Sequence, residues 1–438
     1  MTVGLRQSGF IVAAPASGSG KTVLTLALLR AFRNRGLAVG SFKVGPDYID
    51  PGFHAAASGA TCVNIDPWAM RDTTMAACLQ TASSGADIVI GEGVMGLFDG
   101  AANGVGSTAD LAERLGLPIV LVVDAGGQST SAAAIVHGFD TFRASTQLSA
   151  VIFNRVGSQS HAAMLMAAME AQPVPVLGCM PRAAPLSLPE RHLGLVLAEE
   201  HQALEPYLEA AAAAVADHVD LDALLKLDFE APCPANGSMT AIPPLGQRIA
   251  VARDEAFAFA YPHVLDGWRA AGAEITLFSP LANMAPPLVD AIYLPGGYPE
   301  LHAGQLSANR SFMSGLRAAA ENGTSIYGEC GGYMVLGRSL VDADGTAHAM
   351  ADLLPLETSF AERRLHLGYR DAVLAADMAC GRQGDRFRGH EFHYATILRE
   401  DGDDIVFTCA DARNRNLGGV GRRIGRVAGS FLHLIDRN

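Results

Sequence analysis

A short apolar run that leads through a glycine- and serine-rich turn into a helix-length segment sets the fold class of this chain. Phe10–Ala14 has the length of a strand, Pro15–Gly20 is the turn, and Thr22–Arg35 carries leucines and alanines at helical spacing. Further buried-strand candidates follow at Asp87–Gly91, Ile119–Val123 and Ala150–Phe153. Alternating strands and helices favour a parallel sheet covered by helices. The sequence therefore predicts an α/β fold with an N-terminal parallel sheet that has helices on both faces.

The alternation restarts after a polar, proline-containing stretch. Residues 231–245 begin with Ala-Pro-Cys-Pro-Ala-Asn-Gly-Ser, a composition typical of a linker. Beyond it, predicted elements include strands at Arg248–Ala252 and Glu274–Phe278, a helix at Tyr261–Ala271 and a late strand at Glu391–Leu398. A chain of 438 residues also exceeds the size of one ordinary core. We therefore predict two domains, at residues 1–230 and 246–438.

Charge and composition exclude several classes of partner. The formal net charge is −13 and no basic block is present, which disfavours nucleic acid and anionic membranes as partners. No apolar run is long enough to cross a bilayer, and the first fifteen residues lack the pattern of a signal peptide. The seven cysteines are scattered without a repeated spacing, as in reduced thiols. These features lead us to expect a cytoplasmic protein.

The turn after the first strand matches most of a phosphate-binding loop. The usual pattern is G-x-x-x-x-G-K-[ST], whose backbone N–H groups surround phosphate oxygens. Its end is matched here, but Pro15 stands where the first glycine is expected. The preceding strand and the following helix supply the context that the motif requires, so we predict a nucleotide site and not an ordinary turn. The predicted nucleotide-binding residues of this loop are Ser17, Gly18, Ser19, Gly20, Lys21 and Thr22.

Charged side chains also follow two further apolar runs, in the segments 43–51 and 91–100. Ligands of parallel sheets bind at the carboxyl ends of the strands, where these segments are expected to lie. Mg²⁺ prefers oxygen ligands, and we predict that Thr22, Asp47 and Glu92 supply them. Asp50 and Asp99 are weaker candidates in the same segments. The residues predicted to line the phosphate and substrate cleft are Lys43, Asp47, Tyr48 and Asp99, with Lys43 countering charge that develops on phosphate.

Asn154 directly follows the predicted strand Ala150–Phe153. Its side-chain amide could recognise the edge of a nucleotide base. An asparagine at this position is also a common turn cap. We include Asn154 among the predicted nucleotide-binding residues and keep the second interpretation open.

A cysteine between glycines marks a second site near the end of the chain. Cys330 follows an apolar run and precedes Gly331, the pattern of a nucleophile exposed on a sharp strand-to-helix turn. We expect the helix start to lower the thiol pKa. The backbone N–H groups of Gly297 and Gly331 are the predicted oxyanion donors, and His433 is the predicted base that deprotonates Cys330.

The segment Gly389–Tyr394, Gly-His-Glu-Phe-His-Tyr, contains two histidines but is not the metal motif H-E-x-x-H. In a strand, His390 and His393 would point to opposite faces. We therefore predict that this segment forms part of the wall of the thiol site and does not bind zinc.

These motifs together carry a family resemblance. The N-terminal half resembles dethiobiotin-synthetase-like ATP-dependent amidoligases, and the C-terminal half resembles a flavodoxin-like class I glutamine amidotransferase domain. The combination resembles the cobyrinate and hydrogenobyrinate a,c-diamide synthase family over essentially the whole length. The segments that carry it are residues 14–22, 43–51, 91–100, 191–195 and 389–394, together with Cys330 and His433.

The resemblance implies that ATP phosphorylates the a- and c-acetate carboxylates of a corrinoid and that ammonia from glutamine displaces the phosphate. The implied partners are a corrinoid polycarboxylate, ATP with Mg²⁺ and L-glutamine, with a homodimer as the candidate assembly. Candidate cations for the polycarboxylate are Arg155, Arg182, Arg191 and His192. Many class I amidotransferases carry a glutamate two residues after the histidine, where this chain has Ile435. A Cys–His dyad, oriented by a backbone carbonyl or another acid, is therefore expected.

Two other functions compete with this interpretation. A cobyric acid synthase would use the same chemistry on other carboxylates. A P-loop switch ATPase with an inactive amidotransferase domain would hydrolyse no glutamine. The intact cysteine turn and His433 favour an amidating ligase over the switch, and the chain length with Gly389–Tyr394 favours the diamide synthase.

Overall fold

The computed structural model describes residues 6–146, 148–182, 190–191, 194–195, 197–201, 203–231 and 241–438. The chain divides into two compact units. The first comprises Met1–Trp68 and Met75–Gly237, and the second comprises Ala69–Thr74 and Ser238–Asn438. Most of the predicted linker at 231–245 lies outside the described residues.

The first 230 residues alternate strands and helices. The strands are β1 (Arg6–Ala13), β2 (Val39–Val44), β3 (Cys62–Ile65), β4 (Ile88–Glu92), β5 (Ile119–Asp124), β6 (Leu148–Val156), β7 (Val176–Pro181), β8 (Glu190–Arg191), β9 (Gly194–Leu195) and β10 (Asp228–Glu230). The α-helices are α1 (Lys21–Asn34), α2 (Asp50–Ser58), α3 (Asp72–Ser83), α4 (Thr108–Leu115), α5 (Ser131–Thr141), α6 (Gln159–Met169), α7 (Leu204–His218) and α8 (Leu221–Leu225). A 3₁₀ helix spans Ala198–Glu200.

The strands of the first unit form a sheet in the order β3-β2-β4-β1-β5-β6-β7, and all neighbours on this path are parallel. The short β10 pairs antiparallel with the start of β1. The central strands are buried throughout, as expected for a parallel sheet between helices. Because β1 lies between β4 and β5, the loop after β1 emerges beside the carboxyl end of β4.

The second unit begins with another strand and helix alternation. Its strands are β11 (Arg248–Ala252), β12 (Glu274–Phe278), β13 (Ala291–Leu294), β14 (Ser325–Glu329), β15 (Ser339–Val341), β16 (Ala347–Ala349), β17 (Leu356–Ser359), β18 (His366–Leu374), β19 (Arg386–His393), β20 (Thr396–Glu400), β21 (Phe407–Asp411), β22 (Asn416–Val420), β23 (Arg422–Ile424), β24 (Val427–Ser430) and β25 (Leu432–Arg437). Its helices are α9 (Pro262–Ala270), α10 (Ala303–Ala308), α11 (Arg310–Glu321) and α12 (Gly331–Leu336), with a 3₁₀ helix at Pro299–His302.

The main sheet of the second unit has the order β12-β11-β13-β14-β24-β23. Its first five strands are parallel and follow the 2-1-3-4-5 order of flavodoxin-like folds. Two further sheets accompany it. The sheet with the order β16-β15-β17-β20 is mixed, since β15 and β17 are parallel, and the sheet with the order β22-β21-β18-β19-β25 is antiparallel. The strand predicted over Glu391–Leu398 is wrong as a single element, because β19 ends at His393 and β20 begins at Thr396 in a different sheet.

Two further features concern the helices and the cysteines. Among the described residues, no helix combines the length and apolar character needed to cross a membrane. The six cysteines in the described part of the chain are free thiols.

Candidate active sites

The phosphate loop connects β1 to α1 and is stabilised by side chains at both ends. Ser19 donates from Oγ to the carbonyl of Ala16 at 2.9 Å. Asn154, at the end of β6, donates from Nδ2 to the carbonyl of Ser19 at 2.9 Å. Gly20 has φ of 95°, and a Cβ at that position would collide with the Asn154 amide. The loop conformation therefore requires glycine at 20 and depends on Asn154 as a brace.

The loop lysine is held against the neighbouring strand end. Lys21 donates from Nζ to the carbonyl of Met95 at 2.6 Å and to that of Ala16 at 3.3 Å. Burial lowers the pKa of Lys21, although the Glu92 carboxylate acts in the opposite direction. A partly desolvated ammonium at the start of α1 is suited to an anionic ligand, because both the charge and the helix N-terminus attract it.

Glu92, the last residue of β4, is contacted through both of its carboxylate oxygens. It accepts a 2.6 Å hydrogen bond from Thr22 Oγ1 on one oxygen and a 2.7 Å contact from His54 Nε2 on the other. Burial alone would raise the pKa of Glu92, but Lys43, His54 and Thr22 outweigh it and lower the pKa to about 2. His54 Nδ1 lies 3.5 Å from the sulfur of Cys62. Burial opposes the charge on His54, yet Cys62 and Glu92 raise its pKa to about 10.

Lys43 lies beside Glu92 because β2 and β4 pair these two residues in register. Its Nζ is 3.5 Å from the Asp50 carboxylate and donates to the Gly93 carbonyl at 3.3 Å. Burial and the neighbouring Asp47 and Glu92 carboxylates raise the pKa of Asp50 to about 8, against the effect of Lys43. Asp50, one of the weaker candidates in the sequence, is thus part of the buried charge cluster.

Asp47, a predicted metal ligand, also accepts hydrogen bonds from the backbone at the start of α2. Its Oδ1 accepts backbone N–H bonds from Ile49 at 2.8 Å and from Asp50 at 3.1 Å, at the start of α2. Asp99 similarly accepts from the Gly96 backbone N–H at 2.9 Å within the loop after β4. Tyr48, also predicted for the cleft, follows Asp47 in the same loop.

Of the candidate cations for the polycarboxylate, the structure describes the side chains of Arg155 and Arg182. Arg155 pairs with Asp124 across the ends of β5 and β6, and Asp124 also accepts from the backbone N–H of Gly126. Arg182 lies next to Gly126. The side chain of Arg191 and the whole of His192 lie outside what the structure describes.

Cys330 occupies a sharp turn between β14 and α12 in the second unit. Its backbone has φ of 49° and ψ of −104°, a combination that non-glycine residues rarely adopt. Its N–H donates to the carbonyl of Ser430 at 2.8 Å, which fixes the turn against β24. Its sulfur lies 3.9 Å from the carbonyl of Phe392, so the segment Gly389–Tyr394 borders the thiol. The local geometry is that of a nucleophile elbow.

Three glycines bring the other groups close to the thiol. A Cβ on Gly296 would collide with Cε1 of His433 and would lie 3.3 Å from His433 Nε2 and from the Cys330 Cβ. A Cβ on Gly331 would lie 3.1 Å from the backbone nitrogen of Gly297. The two predicted oxyanion donors, Gly297 and Gly331, are therefore neighbours. Side chains at these positions would prevent the close approach.

The expectation that the helix start lowers the thiol pKa is wrong for this structure. Burial and the carboxylate of Glu300 raise the pKa of Cys330, against the lowering effect of the Gly331 N–H. Burial also lowers the pKa of His433 to about 3, helped by His390 and His393. The pair therefore rests as a neutral thiol and a neutral imidazole, and the imidazole can accept the thiol proton during attack.

Glu329, which directly precedes the nucleophile, lies behind His433. Its Oε2 is 3.8 Å from His433 Nδ1 and accepts a 2.7 Å hydrogen bond from the Tyr293 hydroxyl. Its Oε1 accepts from the backbone N–H of Leu434 at 3.2 Å. Burial raises the pKa of Glu329 to about 7, although Tyr293 and Leu434 favour the charged form.

A group of possible metal ligands lies on β18 and β19. His366, Glu391 and His393 each offer an atom within 4.8 Å of the others. Glu391 accepts from Arg370 at 2.6 Å and contacts His393 Nε2 at 3.1 Å. The guanidinium therefore already neutralises the one carboxylate of the group. His390, on the same strand, pairs in register with His433.

Comparison with known proteins matches both units. Residues 10–196 match the family described as the CobQ/CobB/MinD/ParA nucleotide binding domain, and residues 248–438 match the CobB/CobQ-like glutamine amidotransferase domain. The hydrogenobyrinate a,c-diamide synthase of Brucella anthropi is 54% identical over 432 residues, which is 98% of each protein. The protein of that name from Rhizobium meliloti is 52% identical over 434 residues, covering 98% of this chain and 99% of its own length.

The chain belongs to the hydrogenobyrinate a,c-diamide synthase family. A third curated relative of that name, from Rhodobacter capsulatus, is 54% identical over 432 residues and 98% of each protein. The family resemblance and the two-domain α/β fold predicted from the motifs are confirmed. The incomplete loop at Pro15 and the isoleucine at 435 therefore occur within a member of this family.

Two residues of these sites, His54 and Glu329, were not predicted from the sequence. His54 lies on α2, four residues after Asp50, so a helical reading of residues 50–58 would have placed it on the same face. Glu329 ends a fully buried parallel strand, where an unpaired carboxylate would be costly, and this was a signal that it has a specific partner. Neither pattern identifies the residue that is contacted. His54 contacts Glu92 on β4, and Glu329 lies near His433 on β25.

Proposed function

We propose that this chain catalyses the ATP- and glutamine-dependent amidation of the a- and c-acetate carboxylates of hydrogenobyrinic or cobyrinic acid, a step of cobalamin biosynthesis. The observation that carries the proposal is the 54% identity, over 98% of both proteins, to relatives named hydrogenobyrinate a,c-diamide synthase. The name of those relatives favours hydrogenobyrinic acid, the metal-free substrate. The two clusters of polar side chains support the two halves of the reaction.

In the second unit, Cys330 and His433 would hydrolyse glutamine. His433 accepts the thiol proton as the sulfur attacks the amide carbon, and the N–H groups of Gly297 and Gly331 hold the oxyanion. The imidazolium then donates its proton to the leaving nitrogen, which departs as ammonia. Water, deprotonated by His433, cleaves the thioester to release glutamate and restore the thiol. Because burial raises the Cys330 pKa and lowers the His433 pKa, a separate thiolate–imidazolium pair is disfavoured and the proton moves as the sulfur attacks.

In the first unit, the phosphate loop would bind ATP while a substrate carboxylate attacks the γ-phosphate. ADP leaves and an acyl phosphate forms, after which ammonia attacks the acyl carbon and phosphate departs, giving the amide. Lys21 and Lys43 are placed to offset the charge on the transferred phosphate. Asn154 supports the loop that holds the nucleotide.

The oxygen atoms at Thr22 and Glu92 fit a magnesium ion, because a hydroxyl and a carboxylate lie 2.6 Å apart at the loop. Thr22 and Glu92 would hold the ion, with Asp47 nearby, and the ion would supply charge neutralisation at the phosphates. His54 keeps the Glu92 carboxylate oriented through its other oxygen. We also propose a cytoplasmic location and a homodimeric assembly.

The test uses the full-length chain with ATP, Mg²⁺ and hexa-acid substrate, counting amides by mass spectrometry. Wild type should add two amides with glutamine or with ammonia, and Cys330→Ala should add them with ammonia alone. Comparing metal-free with cobalt-bearing substrate identifies the natural corrinoid. Further amidation of the a,c-diamide would indicate a cobyric acid synthase instead. Loss of activity with both donors in a folded Cys330→Ala variant would contradict the division of labour between the two sites.

A further inference from the structure

We propose that Glu329 is the acid that positions His433, in place of the glutamate that other class I amidotransferases carry two residues after the histidine. This inference rests on the proposed glutaminase reaction and deepens it. Ile435 occupies the usual acid position and is fully buried. Glu329 instead approaches the histidine from the end of β14, the strand that leads into the turn of the nucleophile.

The strand register explains how an acid adjacent to Cys330 reaches its base. Strands β14 and β24 are parallel and pair Glu329 with Ser430. The chain then leaves the main sheet and enters β25, which carries His433 and Leu434. Leu434 N–H donates to one oxygen of Glu329, and the other oxygen lies 3.8 Å from His433 Nδ1. The nucleophile and the acid therefore flank the imidazole although they are neighbours in sequence.

The orientation of the imidazole agrees with this role. The Cε1 and Nε2 edge of His433 lies near Gly296, next to the Cys330 Cβ, while Nδ1 faces Glu329. A carboxylate near Nδ1 favours the tautomer with the proton on Nδ1, which leaves Nε2 able to accept the thiol proton. It also stabilises the imidazolium that forms. The 3.8 Å separation is longer than a hydrogen bond, so a small approach of the two groups is expected when glutamine binds.

Glu329 is held in place by groups from several strands. Tyr293 on β13 donates to Oε2, and Leu434 on β25 donates to Oε1. The other titratable groups that face it are Tyr327, Cys330, Cys380 and His433. No lysine or arginine is among these groups, so the burial cost of the charge is only partly offset and the pKa of Glu329 rises to about 7. The glutaminase should therefore lose activity below about pH 7, as Glu329 takes up a proton.

The test measures glutamine hydrolysis against pH in wild type and in Glu329→Gln. We expect the variant to lose about two to four orders of magnitude in kcat with little change in KM for glutamine, because only the base is affected. The pH profile of its remaining activity should lack the acidic limb, which is the fall in the rate of glutamine hydrolysis below about pH 7. The matched control is Glu400→Gln, which removes another carboxylate that accepts a 2.7 Å bond from a tyrosine, Tyr333, in the same unit. The control should keep the pH profile of wild type.

Glutamine hydrolysis in Glu329→Gln within about threefold of wild type, or an unchanged acidic limb, would overturn the inference. Ammonia-dependent amidation, measured on the same samples, reports folding. If Glu329→Gln does not fold, Tyr293→Phe replaces it: this variant removes a hydrogen bond that favours the charged acid and should move the acidic limb to higher pH. An unmoved limb in Tyr293→Phe would then refute the proposal. Wild type that hydrolyses glutamine but adds no amide would contradict the proposed amidation alone.

Discussion

Thr22 donates a 2.6 Å hydrogen bond from its hydroxyl to the Glu92 carboxylate, joining the phosphate loop to the end of β4. The second oxygen of Glu92 contacts His54, whose other ring nitrogen faces Cys62 on β3. A chain of contacts thus runs from the loop into the core of the first unit. It fixes the acid at the position where magnesium and phosphate are expected, and the surrounding charges keep it ionised.

Replacing His54 by alanine should weaken both the fold and amidation. The buried Glu92 carboxylate would lose its closest cationic partner, a change that costs roughly 3–5 kcal/mol in the free energy of unfolding. Ammonia-dependent amidation should fall, while glutamine hydrolysis in the second unit should persist. Chemical denaturation and the two activity assays measure these effects, with His137→Ala, an exposed histidine on α5, as the control. Wild-type amidation in a His54→Ala variant would mean that His54 does not orient Glu92.

Replacing Gly296 by alanine should impair the glutaminase alone. The added methyl group would collide with Cε1 of His433, and an ångström-scale displacement of a catalytic base costs about 100-fold in rate. Glutamine hydrolysis should therefore drop by about that factor, while ammonia-dependent amidation remains. Gly138→Ala is the matched control, since a methyl group there meets no atom within 4 Å. A variant with full glutamine hydrolysis would show that the imidazole is free to move aside.

Replacing Asn154 by alanine should weaken nucleotide binding. The variant loses the hydrogen bond that braces the Ser19 carbonyl, worth about 1 kcal/mol, so the KM for ATP should rise about fivefold with a smaller change in kcat. Asn34→Ala, which removes an exposed bond to Glu209, should leave the KM unchanged. A large fall in kcat without a change in KM would instead place Asn154 in the chemical step.

The stability of the second unit should fall as the pH rises through the range set by Glu329. The pKa of this carboxyl is about 7 in the folded protein, whereas the ordinary pKa of a glutamate is 4.5. Between these two values the folded state holds a proton that the unfolded state has lost. Stability then decreases with rising pH, by up to about 3 kcal/mol across the range. The free energy of unfolding of wild type minus that of Glu329→Gln, measured by denaturation from about pH 4.5 to 7.5, should show this slope. Parallel curves for the two proteins would contradict the raised pKa.

The local patterns predicted much of the first unit and of the thiol turn. The strand, glycine loop and helix from residue 6 to 34 appear where the apolar run and the helical spacing placed them, because these signals come from neighbouring residues. Cys330 lies on the expected turn for the same reason. The strand assignment over Glu391–Leu398 failed because periodicity does not reveal that the chain changes sheets after His393.

The alternating architecture, the phosphate loop, the nucleophile and the family resemblance could all be predicted, because each depends on short contiguous motifs. Which side chains meet depends instead on how the strands pair. The pairing of β2 with β4 brings Lys43 to Glu92, and the pairing of β14 with β24 brings Glu329 towards His433. The tertiary structure also decided the protonation states, because burial raises the pKa of Cys330 where a helix start alone would lower it. Strand register and desolvation depend on residues far apart in sequence, so no local pattern could supply them.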